Sequence, residues 1–214
     1  MENRLNRLRE EVSLRLGEYR AKHVLSTEEE AARIAKVYLP DKIEAVRISA
    51  LLHDITKEYD LQKQLQIISE FDIIVDSAVL NSPKVLHSVT APEIIKRDFS
   101  EYATDDVLSS VRKHTSGAPD MTVFDCIIYL ADYIEPSRKF SDCIELRDYF
   151  WSGIETCKDD KSKLLHLYKT MVLSFDLTIE NLINESGVIA PDTFLARNMF
   201  LMKISEENNY EKAK

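Results

Sequence analysis

The sequence predicts an all-α helical bundle, and three observations lead there. Glycine is scarce, with four residues in 214, where about 7% is usual; sheets and tight hairpins consume glycine in their turns. Apolar residues recur three and four apart along most of the chain, the repeat of helices buried on one side. Pro40, the loop Ser116-Gly117-Ala118-Pro119, Pro136 and Gly187 punctuate those runs. A hydrophobic fraction of 44% supplies a core, and 30% charged residues supply its surface.

The elements follow in order. Leu5, Leu8, Val12 and Leu16 mark a first amphipathic helix. A second spans about 20–39, with Ala31, Ile34, Ala35 and Tyr38 on one side, and Pro40 ends it. Ser26-Thr27 ahead of Glu28-Glu29-Glu30 reads as a capped helix start. The third helix, about 41–55, carries VRISALLHDI, which is apolar nearly all round and so central and buried. A helix near 61–70 and an irregular stretch at 72–82 come next. Helices then fill about 84–99 with His87, 104–115 with His114, and 122–135 with Asp132. The last three cover about 141–156, 161–186 and 192–207, with the polar run Lys158-Asp159-Asp160-Lys161 between the first two. The final EENNYEKAK is expected to fray.

Composition narrows the function. Lys plus Arg is 28 against 37 Asp plus Glu, a formal charge of −9, which argues against binding to nucleic acid or a membrane surface. Metal ions and a few local bases still allow an anionic substrate. Cys126, Cys143 and Cys157 form no CxxC pair and read as reduced packing residues. The N-terminus lacks the apolar run of a signal peptide, and no stretch approaches a membrane span. A cytoplasmic location is expected. A homodimer stays open.

The chemistry lies in the histidines and two acids. Asp54 follows Ala50-Leu51-Leu52-His53 and precedes Ile55, a poor place for an unpaired charge, since burying an isolated ion costs at least several kcal/mol. A metal cation would compensate. His114 extends the apolar row of Val107 and Val111, and His23 shares a row with Thr27, Ala31, Ile34 and Tyr38. His87 sits within VLHSV, and Asp132 at the edge of an apolar helix face. A single inward histidine is usually a packing residue; four of the five with a shared acid set point to metal. His166 in LLHLYKT reads as packing. Nitrogen and carboxylate ligands without thiolate suit iron, manganese, zinc, cobalt or nickel. Six ligands suit two ions sharing a bridging carboxylate. Lys57, one turn beyond His53 and Asp54, is a candidate phosphate clamp. Arg138 and Arg20 are further candidates to meet an anion.

The order H…HD…H…H…D resembles the HD-domain metal-dependent phosphohydrolases, and in particular the symmetrical bis(5′-nucleosyl)-tetraphosphatases of bacteria. The matching pieces are Arg20-Ala-Lys-His23, LLHDITK (51–57), LH (86–87), KHTSG (113–117) and YLADYIEPSR (129–138). HD alone is common; the three longer motifs in this order are specific. The resemblance implies an HD-domain helical bundle over 1–187, with additional C-terminal helical sequence at 188–214 outside the family pattern. It implies a di-iron centre: His23, His53, Asp54 and Asp132 at one metal, His87, His114 and bridging Asp54 at the other. Lys57, Thr115 and Arg138 would contact phosphate, and Arg20 is a further substrate contact. The implied reaction is cleavage of diadenosine tetraphosphate to two ADP by a hydroxide activated between the metals, with Asp54 and Lys57 as the catalytic pair. Other readings are hydrolysis of deoxynucleoside triphosphates, guanosine alarmones or cyclic dinucleotides, a noncatalytic nucleotide or metal sensor, and, more remotely, an oxygenase.

Overall fold

In a computed structural model describing residues 2–212, the helical spacing becomes helices with no strand among the described residues. In chain order they are α1 (Glu2–Arg15), α2 (Glu18–Tyr38), α3 (Ile43–Leu52), α4 (Leu61–Glu70), α5 (Ser77–Leu80), α6 (Leu86–Asp98), α7 (Asp105–Lys113), α8 (Val123–Ile134), α9 (Ser141–Thr156), α10 (Asp160–Asn184) and α11 (Pro191–Lys212). Short polar residues fix several starts. Thr122 and Asp125 cap α8 reciprocally, as Asp159 and Ser162 cap α10. Each such cap contributes about 1 kcal/mol.

Two apolar cores meet at α3. On one side lie α1 (Leu5, Leu8, Val12), α6 (Ile94, Ile95) and α7 (Val107, Val111), which receive Ile48, Leu51 and Leu52. On the other lie α8, α9, α10 and α11, which receive Val46 and Ala50. This explains why the α3 sequence is apolar nearly all round. The segment beyond residue 187 contributes Ala196 and Phe200 to this second core, where Phe200 stacks near Phe175.

The structure departs from the sequence reading at four places. Helix α3 ends at Leu52 instead of running to residue 55; Ile55 N–H donates to Leu52 O and Lys57 N–H to Asp54 O, so His53 and Asp54 sit in a tight turn. Glu28-Glu29-Glu30 lies mid-helix in α2 and starts nothing. Glu28 is buried because Arg9 from α1 and Arg47 from α3 both donate to it, and buried Glu30 accepts from Trp151 and Arg33. The stretch at 72–82 holds the short α5, capped by Asp76. Helix α11 continues to Lys212, past the point where fraying was expected; residues 213–214 lie outside the described residues.

Other expectations hold. Cys126 and Cys143 are buried and Cys157 half-buried, all unpaired. His166 packs flat on Phe150, and its Nε2–H donates to the Phe150 carbonyl at 2.9 Å. Gly153 makes room for that ring: a Cβ there would come within 2.1 Å of it. No helix among the described residues is long and apolar enough to cross a membrane.

Candidate metal centre

Five chain segments deliver the site to the seam between the two cores. Helix α2 presents His23. The turn after α3 presents His53, Asp54 and Lys57. The first turn of α6 presents His87, the end of α7 presents His114 and Thr115, and the last turns of α8 present Asp132. All four histidines and Asp54 are buried, and Asp132 is nearly so. The two longest-range expectations, that His114 and Asp132 reach the His53–Asp54 pair, describe the geometry found: both lie within 4 Å of it.

Asp54 divides the site. Its Oδ2 lies 3.5 Å from His53 Nε2 and 3.8 Å from His23 Nε2. Its Oδ1 lies 3.2 Å from His87 Nε2 and 3.6 Å from His114 Nε2. Asp132 Oδ1 joins the first group, 2.9 Å from His23 Nε2 and 3.8 Å from His53 Nε2. One carboxylate thus faces two imidazole pairs, one from each oxygen.

The far side of three of the four rings is fixed by an acceptor of the protein. His53 Nδ1–H donates to Ala50 O at 2.6 Å and His114 Nδ1–H to Val111 O at 2.7 Å, each three residues back in the last turn of the helix it follows. His23 Nδ1–H donates to Glu135 Oε1 at 3.0 Å. With Nδ1 engaged in this way, the Nε2 of each of these three rings faces the centre. Such outer partners set tautomer and ring orientation in metal sites. The sequence reading missed Glu135. It lies three residues beyond Asp132, on the same helical face, and that spacing was the available signal. Glu135 is fully buried and also accepts from Ser137 N–H at 2.6 Å and Ser137 Oγ–H at 2.5 Å.

The electrostatics are those of a compact charge cluster. Burial pushes the Asp54 carboxyl up, but His53, His114 and His87 override it and hold it well below the usual range. The same opposition, with Arg138 and His23 prevailing, holds Asp132 well down. Burial alone would lower His23; its hydrogen bonds to the Asp132 and Glu135 carboxylates instead raise it to about 9. Burial dominates at His87, lowered to about 3, and lowers His114 and Lys57 as well. At neutral pH the site therefore mixes a protonated His23, which a cation would have to deprotonate, with His87 and His114 as neutral imidazoles.

The donor set fits cations. The Nε2 atom of His53 is buried without a hydrogen-bond partner among the described residues, which is costly unless something else satisfies it. His87 Nε2 and His114 Nε2 face each other at 2.9 Å. Two clusters, His23–His53–Asp132 and His53–Asp54–His114, bring their donor atoms within 4.8 Å of one another.

Of the four expected substrate contacts, three lie where a ligand could reach them. Lys57, Thr115 and Arg138 line a pocket of about 420 Å³ beside the centre, whose other wall comes from α10 and residues 187–193. Lys57 Nζ donates to Lys84 O at 3.2 Å and lies 3.3 Å from the His87 ring nitrogens; Thr115 Oγ1 lies 3.2 Å from His87 Nε2. The fourth, Arg20, is turned onto Asp54, with Nη1 donating to Oδ2 at 2.6 Å. Arg138 is likewise held by Asp132 at 2.5 Å. Both guanidinia are first of all brackets for the two carboxylates.

Comparison with known proteins finds relatives that span most of the chain. The family model described as "HD domain" matches residues 20–137. The symmetrical bis(5′-nucleosyl)-tetraphosphatase of Bacillus subtilis (strain 168) is 28% identical over 187 residues, covering 87% of this chain and 92% of the relative. The enzyme of the same name from Staphylococcus aureus (strain NCTC 8325 / PS 47) is 31% identical over 169 residues, covering 78% and 84%. Among solved structures, a Clostridium acetobutylicum protein described as a predicted HD superfamily hydrolase involved in NAD metabolism superposes with a TM-score of 0.79 at 29% identity. That match covers 92% of this chain and 97% of the other.

Proposed function

The chain belongs to the HD domain family, and on that premise we propose that it cleaves diadenosine tetraphosphate symmetrically to two ADP at a two-cation centre. The observation that carries the reading is the division of Asp54, one oxygen toward each imidazole pair. The tetraphosphatases similar to this chain support the choice of substrate.

His23, His53, Asp132 and Asp54 Oδ2 would hold one cation, and His87, His114 and Asp54 Oδ1 the other. This nitrogen–carboxylate set suits iron, manganese, cobalt, nickel or zinc alike; the family resemblance favours iron. When bound, such cations supply Lewis acidity at a phosphoryl oxygen and a strong nucleophile from water at neutral pH. Arg20 and Arg138 keep Asp54 and Asp132 ionised and oriented. Lys57 brings a half-buried positive charge to the pocket wall, where it counters charge on the leaving phosphate. Thr115 supplies a hydroxyl beside the same wall. One water adds its oxygen to a phosphorus next to the central bridging oxygen. The bond from that phosphorus to the bridging oxygen breaks, ADP leaves on each side, and protons pass to solvent.

The test is product chromatography after incubation of metal-loaded protein with diadenosine tetraphosphate. ADP as the sole nucleotide product is expected. Equal ATP and AMP would overturn the cleavage register, and inertia there with turnover of a deoxynucleoside triphosphate, a guanosine alarmone or a cyclic dinucleotide would overturn the substrate. Glu135→Gln is expected to weaken metal binding about 10- to 100-fold, the usual cost of losing such a partner. Competition with a chromogenic chelator reads this directly, and wild-type affinity would remove Glu135 from the account.

A further inference from the structure

A second groove of about 210 Å³ adjoins the pocket and shares Tyr133, Arg138, Thr178, Leu182 and Glu185 with it. Three features mark it. Phe140, at the start of α9, is 66% exposed and lines the groove. Asp142 accepts from Tyr133 O–H at 2.8 Å and from Asn181 Nδ2–H at 3.0 Å, both on Oδ2, which leaves Oδ1 as an acceptor. Arg138 stands at the seam between the two pockets.

We infer that this groove is the distal nucleoside subsite. The inference rests on the functional reading above. A dinucleoside tetraphosphate is two nucleotide halves, whereas the main pocket, at 420 Å³, lies in the lower part of the range of about 300–1,000 Å³ that takes one drug-sized ligand. The second half needs a place, and the groove opens from the same wall. An exposed aromatic ring is a stacking platform for any base. A carboxylate accepts from sugar hydroxyls, which donate, and repels phosphate. Together with Glu185, Asp142 makes the groove a place for the sugar and base, while Arg138 at the seam is the cation for the phosphate chain that crosses it.

The test compares diadenosine tetraphosphate with adenosine 5′-tetraphosphate, which has one nucleoside, in wild type, Phe140→Ala and Phe140→Trp. Phe140→Ala is expected to lower the preference for the dinucleoside, as a ratio of kcat/KM values, about tenfold. That is within the range for loss of one base–aromatic stack. The change should lie mainly in KM of the dinucleoside, and Phe140→Trp should retain the preference. A wild-type preference in Phe140→Ala, with wild type active, overturns the subsite alone. Wild type inactive on both substrates overturns the functional reading, and the subsite with it.

Discussion

Asp54→Ala should lose most bound metal and reduce hydrolysis at least about a thousandfold. The reason is arithmetic on ligands. Asp132 Oδ1 reaches His23 and His53, so the first group would keep one acid. Near the His87–His114 pair, Asp54 Oδ1 is the carboxylate oxygen found among the described residues. Without it that pair offers two neutral nitrogens, and Arg20, which donates to Asp54 Oδ2, becomes an unpaired cation beside the site. A charge-stabilising cation is worth several kcal/mol to the transition state, and each 1.36 kcal/mol is tenfold in rate. Metal content by elemental analysis and initial rates on the same preparation check both halves. Full activity in a metal-free variant would reject the scheme.

Lys57→Ala should leave metal content near wild type and lower kcat about 10²- to 10³-fold, the scale for removing one group aimed at developing charge. Lys57 touches the centre from outside: its Nζ lies 3.3 Å from the His87 ring nitrogens and donates to Lys84 O. Burial has already lowered its pKa, so its charge acts in a poorly solvated place. Lys57→Arg tests charge against shape, because a planar guanidinium cannot occupy the point that the ammonium does. If Lys57→Ala also loses metal, the residue supports His87 instead of the substrate; if kcat is unchanged, it has no part in the reaction.

The helices and the site residues were legible in the sequence for one physical reason. Burial leaves a periodic trace, and polar residues inside that trace need partners. His23 in the row of Thr27, Ala31 and Ile34, and His114 in the row of Val107 and Val111, could be placed inward without coordinates, and the structure buries both. Where the reading slipped, the trace was blind. The apolar run from Val46 to Ile55 does not reveal that α3 stops at Leu52, because a tight turn buried on all sides has the same composition as a helix. The Glu28–Glu30 run looked like a capped helix start because Arg9 and Arg47, which hold Glu28, come from other helices. Arg20 and Arg138 were expected to face phosphate; that each first pairs with a site carboxylate depends on distances no spacing rule supplies. The pocket wall from α10 and residues 187–193 is set by how α11 folds back onto α10, with Thr193 Oγ–H donating to Ser116 O at 3.0 Å.

The claim beneath all of this is that one carboxylate joins two cations. Anomalous scattering from crystals grown with manganese measures it most directly. Two peaks are predicted per chain, one among His23, His53 and Asp132 and one beside His87 and His114, with an oxygen of Asp54 on each. A single peak, or a pair of which one lies away from Asp54, would contradict the account.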